Sequence, residues 1–379
     1  MNFFIPTRIV FEPGAVFKIK DQIEESIEGD RIFVVTDKGV KTAGIVEKII
    51  SQFEHVYLFD EVESNPKHTT VNRGGDIIRD LKADMVIGVG GGSSLDAAKA
   101  IALLAKNKGK IENYEGKEKY DSPPLPFVAV PTTCGTGSEV TWVSVITHTE
   151  RRFKMSIKGP DMFPELAVID PDLLVSLPKN LIASTGLDAL THAVEAYTVK
   201  PATIFTDIFA LKAISLIFDS LEKAYNDIKE NKEARENLML GSTLAGIAFG
   251  NSDVGSVHCI AESIGSLYDI PHGIANSVFL PLVMEFNLED CKKKYAHIGK
   301  IAGFERRSDE DTSRELIRKI KALSLRLGIP SFSELGIPQS RFSEIARKSF
   351  ENNSNSSNPS EATEKDYMMI LRKACEQEE

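Results

Sequence analysis

The sequence predicts an α/β half followed by an all-helical half, with the division near Leu177-Pro178-Lys179. Three observations carry this prediction. Short β-branched runs alternate with helical patterns through the first half. A glycine-rich turn joins one of those strands to a helix. After Pro178, apolar residues recur at helical spacing and β-branched runs become rare. The domains are therefore expected at 1–178 and 179–379. Strands separated by helices need crossover connections, so the sheet of the first half is expected to be parallel.

The elements follow in order. Arg31-Ile32-Phe33-Val34-Val35-Thr36 is a strand closed by Asp37-Lys38-Gly39. A helical pattern covers about 67–81. Met85-Val86-Ile87-Gly88-Val89-Gly90 is a second strand, followed by a helix over about 93–105. Phe127-Val128-Ala129-Val130-Pro131 is a third strand. Residues 143–158 hold two β-rich pieces around Thr149-Glu150-Arg151, a hairpin pattern. Ala167-Val168-Ile169-Asp170-Pro171 reads as one more buried strand. In the second half, Phe205 to Ile228, Ala234 to Phe249 and Ser313 to Leu327 are amphipathic helices. Residues 351–360 are a polar, low-complexity run, expected to form a surface loop. A last helix is expected from about 362 to 376.

Composition narrows the function classes. Of the 379 residues, 42% are apolar and 26% charged, so disorder and fibrous classes are excluded. The chain is long enough to bury large cores without staples. The net charge is −10 and no long basic run occurs, which argues against a nucleic-acid groove. Apolar stretches such as Ala100 to Ala105 are far short of the roughly 20 residues a membrane helix needs. The stretch from Met1 to Arg8 lacks a basic segment and a long apolar core, so no signal peptide is expected. Cys134, Cys259, Cys291 and Cys375 form no CxxC pair, which points to a reduced, cytoplasmic protein.

Gly88-Val89-Gly90-Gly91-Gly92-Ser93-Ser94 lies between a strand and a helix. Glycines let the backbone turn sharply and approach a ligand closely. The helix start offers unpaired N–H groups and a positive dipole end. Together these suit a pyrophosphate at the carboxyl end of a parallel strand. A tight turn without a ligand is the plainer reading. The spacing differs from G-x-G-x-x-G, so this is not an ordinary Rossmann fingerprint. Asp37 closes an earlier strand, where an acid can accept from ribose hydroxyls and repel a 2′-phosphate. A simple turn role suits it equally. Pro131-Thr132-Thr133-Cys134-Gly135-Thr136-Gly137-Ser138 is a second hydroxyl-rich turn after a strand.

Asp188 and His192 stand one turn apart on a helix, and His258 and His272 follow. One carboxylate and three imidazoles suit Fe(II), Zn(II) or Mn(II) better than Mg(II) or Ca(II). Packed or solvated histidines are the alternative.

Taken together, these motifs resemble the iron-containing (group III) alcohol dehydrogenase family over nearly the whole chain. The most specific pieces are Gly90-Gly91-Gly92-Ser93 with Asp96 and Lys99, and Pro131-Thr132-Thr133 with Gly135-Thr136-Gly137-Ser138-Glu139. Ile169-Asp170-Pro171, Gly186-Leu187-Asp188-Ala189-Leu190-Thr191-His192-Ala193-Val194-Glu195 and Pro271-His272-Gly273 with Ala275-Asn276 complete them. The resemblance implies a dinucleotide-binding α/β domain and an all-helical domain, the architecture shared with dehydroquinate synthase, with the active site in the cleft between them. It implies a metal held by Asp188, His192, His258 and His272. It implies NAD(P) contacts at Asp37, Asn65, Gly91, Gly92, Ser93, Asp96, Thr132, Thr133 and Lys154, with Asp37 favouring NAD. Gly91 and Gly92 would hold the pyrophosphate and Asp96 the nicotinamide amide. It further implies a homodimer or larger homo-oligomer.

Two departures stand out. Many members carry a histidine where this chain has Glu262, one turn after His258. Glu262 can join the metal shell, replace a proton-relay group, or be solvated. Asn358-Pro359-Ser360 lies where members often have Asn-Pro-Arg. Phe249 matches a position that lines the substrate pocket in relatives, and Trp142 is a weaker pocket candidate.

The expected function is hydride transfer between NAD(H) and a small primary alcohol or aldehyde, with Fe(II) or Zn(II) as Lewis acid. A polyol- or sugar-phosphate dehydrogenase or cyclase is the first alternative. A cyclase needs a Lys/Arg cluster to grip a phosphorylated acid, and none occurs near 250–275. A non-catalytic nucleotide-binding scaffold is the second.

Overall fold

The structure, a computed structural model, describes residues 3–376. Met1 and Asn2 of the N-terminal stretch, and residues 377–379 at the end of the helical half, lie outside the described residues. The chain forms two compact units, one spanning Phe4–Leu177 and the other running from Pro178 onward with Phe3.

The first unit contains strands β1 (Arg8–Phe11), β2 (Arg31–Val35), β3 (His55–Phe59), β4 (Met85–Gly90), β5 (Gly116–Lys117), β6 (Phe127–Pro131), β7 (Val143–His148), β8 (Phe153–Lys158) and β9 (Leu166–Ile169). Its helices are α1 (Ile19–Glu24), α2 (Lys38–Thr42), α3 (Ile45–Ile50), α4 (His68–Leu81) and α5 (Gly92–Lys106). Six strands form one all-parallel sheet in the order β1-β9-β6-β4-β2-β3. Alternation along the strands feeds two cores. Phe33, Val35 and Val86 face one, with Ala98 and Ile101 of α5. Ile32, Val34, Met85, Ile87 and Val89 face the other, with Ile19 and Val46. A parallel sheet covered on both faces reads as continuous apolar runs, which is why β2, β4 and β6 stand out in the sequence.

β1 and β3 are edge strands that the sequence reading did not find. Their side chains are only partly buried, and Tyr57 of β3 is exposed, so their apolar signal is weak. The β7–β8 pair is the expected antiparallel hairpin, with β5 added beside β8. From β2 the chain moves outward to β3, then returns to β4 on the opposite side of β2 and continues to β6. Connections therefore diverge between β2 and β4. Open α/β sheets bind ligands at the carboxyl ends of such a pair.

The second unit contains α6 (Lys179–Thr198), α7 (Ile204–Asn226), α8 (Lys232–Gly250), α9 (Ser256–Tyr268), α10 (His272–Phe286), α11 (Leu288–Ile301), α12 (Asp309–Arg326), α13 (Phe342–Phe350) and α14 (Glu364–Glu376). α6 packs against α7, α8 and α10 and is buried through nearly all of its second half. No described helix is long and apolar enough to cross a membrane. No disulfide forms among the described residues, and Cys134, Cys259 and Cys291 are buried.

One expectation fails. Residues 351–360 are not a plain surface loop. Asn353–Ser357 form a short 3₁₀ helix, and Ser354, Asn358 and Ser360 are buried. Asn358 Oδ1 accepts from the Ser256 N–H that opens α9 (3.2 Å) and from Asn287 Nδ2 (3.1 Å). Its Nδ2 donates to Asn287 Oδ1 (2.8 Å) and the Ser360 carbonyl (2.8 Å). The polar run is buried because its amides pair with polar groups, one of them an uncapped helix N–H.

Candidate functional site

α6 places Asp188, His192 and Glu195 along one face at spacings of four and three. His258 lies in the first turn of α9 and His272 opens α10. One donor atom from each of Asp188, His192, His258 and His272 lies within 4.8 Å of the others. Asp188, His192 and His258 are buried and His272 is partly exposed. The close approach needs Gly273. A Cβ there would stand 2.5 Å from the Ser184 carbonyl oxygen of α6 and 3.3 Å from Asp188 Cβ.

These side chains fit a metal ion. Two features of the structure say so. Lone-pair donors converge with few hydrogens between them. The amide of Asn276, one turn beyond His272 and fully buried, stands in the middle. Its Nδ2 is 2.6 Å from Asp188 Oδ1, 3.1 Å from His258 Nε2 and 3.1 Å from His272 Nε2. An amide carries two hydrogens, too few for three acceptors. Its Oδ1 has no hydrogen-bond partner among the described residues. A cation is the group that would satisfy all these lone pairs, and N/N/N/O donors suit Fe(II) or Zn(II).

Glu195 is the functional residue the sequence reading missed. It is buried, and its Oε2 accepts from Gly255 N (2.9 Å) and contacts His258 Nδ1 at 2.6 Å. Oε1 accepts from Val257 N (2.8 Å). A carboxylate behind a ligand histidine fixes the tautomer, so that Nε2 presents its lone pair to the ion. Burial works against a charged His258 ring, yet Glu195, Asp188 and Glu262 together hold its pKa above the ordinary value. The helical spacing from His192 was the available signal. Nothing in the sequence shows that Glu195 reaches across to α9.

Glu262 does not join the four-donor group. Asn352, in the segment after α13, donates to its Oε2 at 2.7 Å. Phe249, at the end of α8, stacks on the His192 ring with centroids 4.4 Å apart. Trp142 has Lys117 Nζ over its ring at 5.2 Å.

In the first unit, Asp37 and the glycine turn flank the divergence between β2 and β4. Asp37 caps α2, its Oδ1 accepting from Gly39 N (2.8 Å) and Val40 N (3.0 Å). Its Oδ2 accepts from Ser94 Oγ at 3.1 Å, so the carboxylate sits beside the glycine turn. Gly90 has φ 151°, and its Cβ would lie 2.6 Å from Ser94 Cβ. Gly91 caps α5 without a side chain, leaving the first N–H groups of that helix to a ligand. A Cβ on Gly92 would meet Thr136 Cγ2 at 2.4 Å, and one on Gly91 would meet Thr133 Cγ2 at 3.1 Å. The hydroxyl-rich turn after β6 therefore closes on the glycines, a cradle that larger residues would fill. Ser93 is half-buried in the first turn of α5, and Thr132 N donates to the Gly90 carbonyl at 3.0 Å.

Asp96 accepts from Ser138 Oγ (2.6 Å) and Val145 N (2.9 Å), and burial pushes its pKa up. Lys99 Nζ donates to Ser138 Oγ (2.9 Å) and to the Thr141 (2.9 Å) and Val143 (3.0 Å) carbonyls. Burial pushes Lys99 down to about 8 against the pull of Asp96 and Glu139. Asn65 and Lys154 meet, with Lys154 Nζ 2.9 Å from Asn65 Oδ1.

Residues 6–171 match the family model of the iron-containing alcohol dehydrogenases, and residues 182–375 match the C-terminal model of the same family. An NAD-dependent methanol dehydrogenase of Bacillus methanolicus is 38% identical, covering 98% of this chain and 99% of its own. Alcohol dehydrogenase 4 of Saccharomyces cerevisiae is 37% identical over 99% of this chain and 98% of its own. The crystal structure of a 1,3-propanediol oxidoreductase superposes with TM-score 0.94 at 37% identity, over 98% and 99% of the two chains.

Proposed function

The chain belongs to the iron-containing alcohol dehydrogenase family, and from that premise we propose that it transfers hydride between NAD(H) and a small primary alcohol or aldehyde. The convergence of Asp188, His192, His258 and His272, with Glu195 behind His258, carries the reading. Iron(II) is the metal assigned to these four residues, and zinc suits the same donors. When bound, the metal polarises the substrate oxygen as a Lewis acid and the nicotinamide gives or takes the hydride.

The chain's own residues do the rest. Asp188 brings the single negative charge among the ligands, which leaves a divalent centre net positive. Glu195 keeps the proton of His258 on Nδ1. Phe249 covers one face of His192 and excludes water from it. Gly91, Gly92 and Ser93 offer backbone N–H groups and space for the pyrophosphate. Asp37 takes the ribose hydroxyls and repels a 2′-phosphate, favouring NAD over NADP. Thr132, Thr133, Asn65 and Lys154 complete the cofactor contacts. Asp96 serves the nicotinamide end while bracing β7 through Val145. Glu262, held by Asn352, is a proton-relay candidate rather than a ligand. A cytoplasmic homo-oligomer fits the four cysteines outside any disulfide and the exposed Ile204, Phe205 and Ile208 on one face of α7.

The test is NADH and NADPH oxidation by anaerobically purified, Fe(II)-reconstituted protein across short aldehydes, beside the His192→Ala variant. NADH turnover that vanishes in the variant supports the proposal. No turnover with either cofactor, despite bound metal, overturns it.

A further inference from the structure

We propose that His68, His148 and Glu150 form a second divalent-metal site, of the zinc class, which clips the start of α4 to the β7–β8 hairpin. These residues lie in the first unit and take no part in the function above. One donor atom from each lies within 4.8 Å of the others. Glu150 Oε2 stands 3.2 Å from His68 Nε2 and 3.0 Å from His148 Nδ1. Ligands about 2.0–2.1 Å from a tetrahedral zinc stand about 3.3 Å apart, close to both distances. The imidazoles stack with centroids 4.5 Å apart.

The backbone builds this arrangement before any ion arrives. Thr147 N donates to the Pro66 carbonyl at 2.7 Å, and Lys67 bridges to Thr147. This zips the segment preceding α4 onto β7. His68 and His148 are thereby aligned from opposite sides of the seam, and Glu150 follows in the hairpin turn.

Each ring has a tautomer in which a lone pair faces the shared carboxylate, as an ion at the seam requires. His68 Nδ1 lies 3.3 Å from the Thr147 carbonyl, to which it can donate, and 3.5 Å from the Thr149 N–H, from which it can accept. A proton on Nδ1 leaves the Nε2 lone pair facing Glu150, the tautomer in which histidine binds metal. At His148 Nδ1 can accept from the Arg151 N–H at 3.5 Å, which places the proton on Nε2 and leaves the Nδ1 lone pair on the side of Glu150. Two imidazole lone pairs then converge on one carboxylate oxygen, which also accepts from Thr149 Oγ1 at 3.2 Å. One extra proton relieves one of these contacts, whereas a divalent cation relieves both. His68 is 6% exposed at its side chain and Glu150 67%, so an ion can enter from the carboxylate side. Two nitrogens and an oxygen suit zinc, with water at the fourth position.

The clip has a consequence for the neighbouring cofactor residues. Asn65 lies three residues before His68, and Lys154 pairs with Thr147 across the hairpin. A cation at the seam holds both segments in the register that lets Lys154 reach Asn65.

The test counts zinc on metal-stripped, full-length protein dialysed against buffered Zn(II), read by atomic emission. The wild type is compared with His148→Ala and Glu150→Gln. Each variant is expected to bind one zinc per chain fewer than the wild type, whatever the four-ligand centre takes up. The zinc-induced rise in melting temperature should shrink in parallel. Equal zinc counts in all three proteins overturn the proposal and leave a protonated His–Glu contact. Glu150→Gln changes an exposed turn residue, so it keeps the result readable if His148→Ala fails to fold. The count does not depend on turnover, so it stands apart from the redox reading.

Discussion

Replacing Glu195 by Gln tests how the metal centre is held. The carboxylate serves three donors, two at Oε2 (Gly255 N and His258 Nδ1) and one at Oε1 (Val257 N). Gln keeps the shape but offers one acceptor and one donor. With its oxygen at the Oε2 position, the new NH₂ faces the Val257 N–H. With the amide reversed, the NH₂ faces Gly255 N and His258 Nδ1. His258 must then give up its Nδ1 proton, and Nε2 becomes protonated where the metal needs a lone pair. Either way a buried donor is left unpaired, which costs about 1–3 kcal/mol. Losing the carboxylate behind a ligand histidine costs about 10–100-fold in metal affinity. At about 1.36 kcal/mol per decade, that is about 1.4–2.7 kcal/mol. The affinity is measured by competition with a chelator of known strength, and the fold by thermal unfolding of the metal-free protein. A Glu195→Gln protein that binds metal within about twofold of the wild type would refute the role argued for Glu195.

Three further outcomes are expected. Asn276→Ala removes an N–H group that reaches Asp188, His258 and His272, so the metal-free protein should lose about 1–3 kcal/mol. Metal addition should then raise its melting temperature by more than in the wild type, and an unchanged rise would count against the argument. Asp37→Asn retains a good N-cap for α2 but removes the charge beside the glycine turn. The NADPH/NADH ratio of kcat/KM should rise roughly tenfold or more, the scale of two nearby charges at a surface, with little change in melting temperature. Asp84 is held at about 2 by hydrogen bonds from Arg31, with help from the Asp30 and Arg31 N–H groups. A carboxyl lowered on folding stabilises the fold above its ordinary pKa, and that contribution is lost as the pH falls through the folded value. Arg31 is half exposed, so the effect is held to about 1 kcal/mol. The stability gap between wild type and Asp84→Asn, read by urea unfolding, should be present at pH 7 and narrow between about pH 4 and pH 2.

Local pattern made much of this protein legible. β2, β4 and β6 are buried on both faces, so their composition is unambiguous, and α4, α5, α7 and α8 end within about two residues of the expected limits. The edge strands β1 and β3 escaped because half-solvated strands need fewer apolar residues. The four candidate metal ligands are legible from one helical pair, two later histidines and a family resemblance. Nothing local says that α9 and α10 bring their histidines to the same face of α6.

By itself the sequence determined which segments become helices and strands, because periodicity and glycine placement act over a few neighbours. Only the tertiary structure decided what the polar groups do. Glu195 and Glu262 are both helical glutamates one turn from a histidine, yet one is buried behind His258 and the other turns to Asn352. Asn358 sits in a run that reads as surface, yet it is fully buried because the start of α9 leaves a backbone N–H for it to bond. The difference lies in partners far along the chain. A hydrogen bond is decided by which unpaired groups the fold brings together, and no local pattern records them.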